Sequence, residues 1–321
     1  MTVRHAAMVS IRIGVCVLGC AFAVCAVGQG NDEPRPARRG DIRVDSNLVL
    51  IPVSVTDARN HPVVGIDAHQ FRVFDGKVEQ EVVSVSTDDS PVSVGIVFDA
   101  SGSMAHKLPQ ARAAVIEFLK GANPDDEFFL VNFSTTAEVA VPFTTSAPEI
   151  QNRLMYAVDK GKTALLDAVH LAMETMKDAR NPRKALLIIS DGGDNESRFT
   201  RMEIRKQLRE TDIWIYAIGV YGTQAVTLPE EERGGPMLLQ ELAEQTGGRH
   251  FAVFQPKELP DAAAKIGMDL RNQYLVGYRP SNIESDGKFH KVQVKLVDSG
   301  NVQLTWRSGY YAPLERPHTG L

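Results

Sequence analysis

Cysteine is absent from most of this chain. The three cysteines, Cys16, Cys20 and Cys25, all fall within the first 28 of 321 residues. The remainder therefore cannot use disulfides, thiolate nucleophiles or thiolate metal ligands. A basic surplus is also missing: the formal net charge is −5, which argues against nucleic acid as a partner. The chain has no Gly-x-Ser-x-Gly nucleophile elbow, no His-x-x-x-His pair and no EF-hand spacing. It has no internal repeat, and its only low-complexity stretch is residues 29–40. With 43% hydrophobic and 23% charged residues, the rest has the balance of an ordinary globular protein. At this length two domains are expected rather than one.

Residues 1–28 are read as a signal peptide. Arg4 and Arg12 are followed by an apolar or small run over 13–28 that ends in Ala26-Val27-Gly28. That is the charged, apolar and small-residue order of a secretory leader. The alternatives are an uncleaved anchor, for which sixteen residues are short, and lipid attachment at Cys20 after Val17-Leu18-Gly19. Removing the leader leaves 33 basic and 40 acidic residues, a formal net charge of −7. The expected location is thus outside the cytoplasm: periplasmic, cell-surface or secreted.

Residues 29–40, rich in Pro, Arg and Gly, predict a flexible linker. Over 41–90, short β-type runs at 47–56, 71–74 and 79–85 are separated by Asn60-His61-Pro62 and Asp75-Gly76. From Pro91 the pattern changes. Strand-like runs at 92–98, 128–133, 185–189 and 213–220 alternate with helical periodicity at 106–119, 164–176, 202–208 and 238–245; residues 138–143 read as an edge strand. Such alternation predicts a doubly wound, mostly parallel sheet covered on both faces, an α/β domain over 91–272. After a helix-like stretch at 259–272, β-type runs return at 273–278, 290–297 and 302–307, and Ser299-Gly300 reads as a hairpin turn. Neither flank has enough strands to stand alone. The expectation is one β-sandwich built from 41–90 and 273–313, with the α/β domain inserted into it and a tail at 314–321.

Chemistry concentrates at the carboxyl ends of the apolar strands, where open α/β sheets bind their ligands. Asp99, Ser101 and Ser103 directly follow the strand at 92–98. Thr163 lies on the loop Lys160-Gly161-Lys162 before a long helix, and Asp191 closely follows the strand at 185–189. Two carboxylates and three hydroxyls are hard oxygen donors, suited to Mg²⁺, or to Mn²⁺ or Ca²⁺, and not to zinc or copper. Taken singly, Ser103 and Thr163 read better as helix N-caps and Asp191 as a turn residue before Gly192-Gly193. Taken jointly, on three loops at one sheet edge, they read as a metal site.

The strings Val97-Phe98-Asp99-Ala100-Ser101-Gly102-Ser103-Met104, Gly161-Lys162-Thr163-Ala164-Leu165 and Ile189-Ser190-Asp191-Gly192-Gly193 resemble the three elements of the metal-ion-dependent adhesion site of von Willebrand factor type A domains. The resemblance covers about residues 91–277. The flanking strings Asn47-Leu48-Val49-Leu50-Ile51-Pro52-Val53, Tyr274-Leu275-Val276-Gly277-Tyr278 and Gly309-Tyr310-Tyr311 resemble the exported bacterial group called VWFA-related Acidobacterial domain proteins. The type A resemblance implies direct coordination by Ser101, Ser103 and Thr163, with Asp99 and Asp191 acting mainly through bound water and hydrogen bonds. Neutral hydroxyls quench little of the ion's charge, which leaves it electrophilic toward an acidic side chain of a protein partner.

The expected function is therefore that of an exported, divalent-metal-dependent protein-binding module of the adhesion or interaction type, and not an enzyme. The alternatives are an envelope assembly factor that docks on a partner complex and a metal-assisted hydrolase using Ser101 or Ser103. The loop expected at 221–236 should stand on the same face, with Glu230-Glu231-Glu232 read as a solvated charged run. His106 is expected to be exposed, His170 to flank a helix core, and Trp214 and Tyr216 to be strand core.

Overall fold

The computed structural model describes residues 48–87, 89–157, 160–221, 230–281, 287–297 and 300–312; the side chains of 230–233 and of Pro256 are not among what it describes. The expected signal peptide, linker and tail lie outside the described residues. So do all three cysteines. The described residues all belong to one compact unit.

In chain order the first elements are β1 (Val49–Asp57), β2 (Phe71–Asp75), β3 (Val78–Gln80) and β4 (Val82–Thr87). The next are β5 (Val92–Asp99), α1 (Leu108–Lys120), β6 (Glu127–Phe133), β7 (Ala137–Thr144), α2 (Ala147–Leu154) and α3 (Leu165–Thr175). They are followed by β8 (Arg183–Ser190), α4 (Arg201–Arg209), β9 (Trp214–Val220), α5 (Glu230–Thr246), β10 (His250–Val253) and α6 (Leu259–Arg271). The chain closes with β11 (Tyr274–Tyr278), β12 (Phe289–Leu296), β13 (Val302–Trp306) and β14 (Gly309–Tyr311).

Six strands form the central sheet in the order β10-β9-β8-β5-β6-β7. All its pairings are parallel except β6 with the edge strand β7. Every residue of β5 and of β9 is buried, as continuous apolar runs in a doubly covered sheet require. The period of two divides them between two cores. Val94, Ile96 and Phe98 of β5 face one core with α1, α2 and α6, and Val97 faces the other with α3, α4 and α5. The sheet and its six helices realise the expected α/β class.

The flanks build two further four-stranded sheets, β13-β1-β11-β4 and β14-β12-β2-β3. Each contains strands from both sides of the α/β insertion. Ile51, Val53, Phe71, Val73, Tyr274, Val276, Val292 and Val294 share one core between them. The Trp306 indole N–H donates to the Val292 carbonyl at 3.0 Å, which ties the two layers together.

Some local expectations fail. The run expected as one strand at 79–85 breaks at Glu81: β3 pairs with β2, whereas β4 pairs with β11 in the other sheet. Ser299 lies outside the described residues, and the strands expected to form a hairpin around it do not pair: β12 joins β2 and β14 while β13 joins β1. Residues 230–236, expected as loop, open helix α5, with Pro236 inside it. Strand β10 and helix α2 had no counterpart in the sequence reading.

The α/β part and the sandwich meet through polar contacts. Asp269 on α6 is buried and accepts hydrogen bonds from the Ser54 hydroxyl of β1 and, at 2.9 Å, from the Tyr216 hydroxyl of β9. Burial pushes its pKa up, against those donors and the nearby Arg249. The Arg249 guanidinium also donates to the Asn60 side chain. No described helix is long and apolar enough to cross a membrane.

Candidate metal centre

Asp99 is the last residue of β5 and is fully buried. Its Oδ1 accepts from the Ser101 amide at 2.9 Å and its Oδ2 from the Ser190 hydroxyl at 2.5 Å. Burial and the neighbouring Asp191 carboxylate push Asp99 up to about 6, against the hydrogen bonds from Ser101 and Ser190. Such a carboxylate is held at high electrostatic cost, and a cation placed between the two acids would relieve it.

The chain after β5 does not enter α1 directly. Residues Gly102–Met104 make one 3₁₀ turn, and α1 begins only at Leu108, after Lys107. Ser103 is therefore not the N-cap of α1. Ser101 Oγ and Ser103 Oγ lie 3.1 Å apart. Adjacent ligands of an octahedral Mg²⁺, at about 2.1 Å from the ion, would be separated by about 3.0 Å. Ser101 is buried and Ser103 is exposed, so the pair reaches from the sheet edge toward solvent.

Thr163 is nearly buried and stands two residues before α3, whose N-cap position belongs to Ala164. The N-cap alternative for Thr163 thus also fails. Its position is fixed from two sides. The Gly102 amide donates to the Gly161 carbonyl at 3.1 Å and the Lys160 amide to the Ala100 carbonyl at 3.0 Å, which binds the threonine loop to the serine loop. The Thr163 amide donates to Asn195 Oδ1 at 2.9 Å, and its carbonyl accepts from the Asn195 and Glu196 amides. Ser197 Oγ then accepts from the Leu166 and Asp167 amides, and Asp194 Oδ1 from the Leu166 amide and the Ser197 hydroxyl. The acidic run after Asp191 thereby caps α3 from a distant part of the sequence.

Asp191 lies just past β8. Its Oδ1 and Thr163 Oγ1 both lie within 4 Å of where a Gly193 side chain would begin. The contact from the Gly193 amide to Asp191 Oδ1 is long, at 3.5 Å, so little remains of a simple turn role. Asp191 Oδ2 instead accepts from Lys107 Nζ at 3.0 Å. Gly192, at φ +80°, packs against the Gly235 backbone, so the start of α5 stands against this third loop. That much of the expected 221–236 region shares the face. Residues 222–229 and the side chains of Glu230, Glu231 and Glu232 are outside the described residues.

Asp99, Ser101, Ser103, Thr163 and Asp191 thus come from three hydrogen-bonded loops at one edge of the sheet. The donors are hydroxyls and two carboxylates. Among the described residues there is no group of three or more His, Cys, Asp or Glu side chains that could hold a metal. The set fits a hard, oxygen-preferring divalent cation and not zinc. Sequence reasoning did not single out Lys107, Ser190 and Asn195, which hold Asp191, Asp99 and Thr163 respectively. Ser190, next to Asp191 at a strand end, carried a faint signal. Asn195 lies in the acidic run 191–196, which read as shaping the third loop, but its partner Thr163 was not foreseeable, and Lys107 carried no signal because its partner is remote in sequence. His106 is exposed, and His170 packs on Phe199 and bonds Gln207, so neither belongs to the site.

Residues 94–193 match the family model described as von Willebrand factor type A domain. Inter-alpha-trypsin inhibitor heavy chain H4 of Sus scrofa is 29% identical over 131 residues, covering 37% of this chain and 14% of the relative. The Homo sapiens heavy chain H4 is 28% identical over 146 residues, covering 41% and 16%. The chain therefore spans only about a seventh of these relatives. Among solved structures, the von Willebrand factor type A protein of Catenulispora acidiphila aligns with a TM-score of 0.49 at 14% identity, covering 85% of this chain and 74% of that one. The vWF domain of the type V pili tip protein Mfa5 of Porphyromonas gingivalis aligns with a TM-score of 0.47 at 13% identity, covering 56% and 95%. With a six-stranded mixed sheet and six helices among the described residues, and the match over residues 94–193, the α/β part of this chain has a von Willebrand factor type A-like fold.

Proposed function

We propose that this protein is an exported, divalent-metal-dependent binding module whose protein partner supplies an acidic side chain to the ion. The supporting observation is the joining of three loops through the Gly102 amide to the Gly161 carbonyl and the Asn195 side chain to Thr163, with Asp99, Ser101, Ser103, Thr163 and Asp191 at their tips. In this reading Ser101, Ser103 and Thr163 hold Mg²⁺, or Mn²⁺ or Ca²⁺, directly. Asp99 and Asp191 orient its water ligands. The ion supplies a Lewis-acidic position for a carboxylate. Export rests on the leader-like order of residues 1–28.

A binding role is preferred to hydrolysis because a serine nucleophile needs a base. Ser101 Oγ contacts Ser103 Oγ, and among the described residues no histidine is paired with either. Lys107, on the same loop, is held by Asp191. The test is capture of partners from an envelope extract with Mg²⁺ and with chelator, using the wild type and Thr163→Ala. Proteins retained only by the wild type and only with Mg²⁺ support the proposal. Identical retention in all four arms removes it.

A further inference from the structure

Lys107 brings a cation of the chain itself to the rim of the proposed metal centre. It stands on the same loop as Ser101 and Ser103, and its Nζ lies 3.0 Å from Asp191 Oδ2. The two side chains are only 22% and 15% exposed, so the pair is poorly screened by solvent. Lys160 on the threonine loop is exposed to solvent, and other polar groups nearby are engaged locally. Lys162 pairs with Glu196 at 2.7 Å, and Asp194 accepts from Ser197 and the Leu166 amide. Among the described residues of these loops, the sheltered charges at the centre are those of Asp99, Asp191 and Lys107.

Two carboxylates and one ammonium sum to −1, and a divalent cation takes this to +1. Without Lys107 the loaded centre would be neutral. We propose that Lys107 is a specificity-determining residue: it weakens the hold of the site on the divalent cation and leaves the loaded centre with the net positive charge that selects a carboxylate from the partner. This rests on the metal-dependent reading above and adds to it a division of labour. The serine and threonine hydroxyls hold the ion, and Lys107 keeps it unneutralised. A lysine serving only to join α1 to the third loop would have no such effect on anions.

The experiment compares the full chain with Lys107→Met and Lys107→Arg by calorimetric titration with Mg²⁺, then by chemical-shift titration with acetate at saturating Mg²⁺ and in chelator. Lys107→Met is expected to bind Mg²⁺ at least roughly tenfold more tightly, because a like charge has been removed. It should also lose a comparable factor in Mg²⁺-dependent acetate binding. Lys107→Arg, which keeps the charge, should match the wild type in both. Should Lys107→Met not fold, Lys107→Gln carries the same expectation. Mg²⁺ bound equally or less tightly by the neutral variant, or acetate bound equally well, overturns the role of Lys107 and leaves the metal centre standing. A wild type that binds no Mg²⁺ overturns both.

Discussion

The Ser190 hydroxyl at the end of β8 donates to Asp99 Oδ2 at the end of β5, and Ser190 Oγ itself accepts from the Gly192 amide at 2.9 Å. One buried hydroxyl thus locks the first acid of the site to the loop that carries the second. Ser190→Ala would leave a carboxylate oxygen and an amide without partners in the interior. A loss of about 2 kcal/mol is expected in urea unfolding, together with a smaller Mg²⁺-induced rise in melting temperature. An unchanged response to Mg²⁺ would show that Ser190 serves only the fold.

Asp99→Ala and Thr163→Ala test the metal centre itself. A ligand that binds only the folded state at 100 times its Kd stabilises by about 2.7 kcal/mol. The wild type should therefore melt higher in excess Mg²⁺ than in chelator, and neither variant should. Circular dichroism must show the variants folded. If the wild type melts identically in both conditions, the centre does not bind Mg²⁺ with useful affinity.

Glu127 governs an acid-side dependence away from the site. Its side chain is almost fully buried and accepts from the Ser93 hydroxyl and from the Arg180 amide and guanidinium. Burial pushes its pKa up, but these donors outweigh it and leave the pKa below the ordinary glutamate value. A depressed carboxyl pKa contributes stability that is present above the unfolded-state value of about 4.3 and is lost as pH falls through the folded-state value. Glu127→Gln should be less stable than the wild type at pH 7, and the gap should narrow in denaturant titrations carried below about pH 4. A gap that stays constant with pH would assign the loss to packing alone.

Gly95 in the middle of β5 reads as a weak point in a strand, but it is a point of close approach. A Cβ there would lie 2.2 Å from the Phe129 ring and 2.6 Å from Leu186 on the two neighbouring strands. Gly95→Ala should destabilise by about 1–3 kcal/mol, as overpacking does, measured by thermal and urea unfolding. Adding Phe129→Leu should recover part of the loss. No recovery would assign the clash to Leu186 and not to Phe129.

The α/β part was legible because β5, β8 and β9 are continuous apolar runs separated by helical periodicity, and burial on both faces forces that composition. Helix α2 escaped notice because it spans eight residues and buries only Ile150 and Leu154, too few to establish a period. Strand β10 is four residues long. The Ser299-Gly300 turn misled for another reason. Turn chemistry reports a change of direction, but which strand then pairs is decided by neighbours far away in the chain. Here they are β1 for one strand and β2 for the other.

The sequence by itself determined the alternation of strand and helix and the placing of five oxygen-bearing side chains at strand ends and on the loops beside them, because local composition encodes burial and side-chain chemistry. It could not reveal that Asn195 holds Thr163, that Lys107 neutralises Asp191, or that Asp269 meets Ser54 across 215 positions. Those relationships exist only once packing of the two cores has brought distant loops within hydrogen-bonding reach, and only tertiary structure decides them.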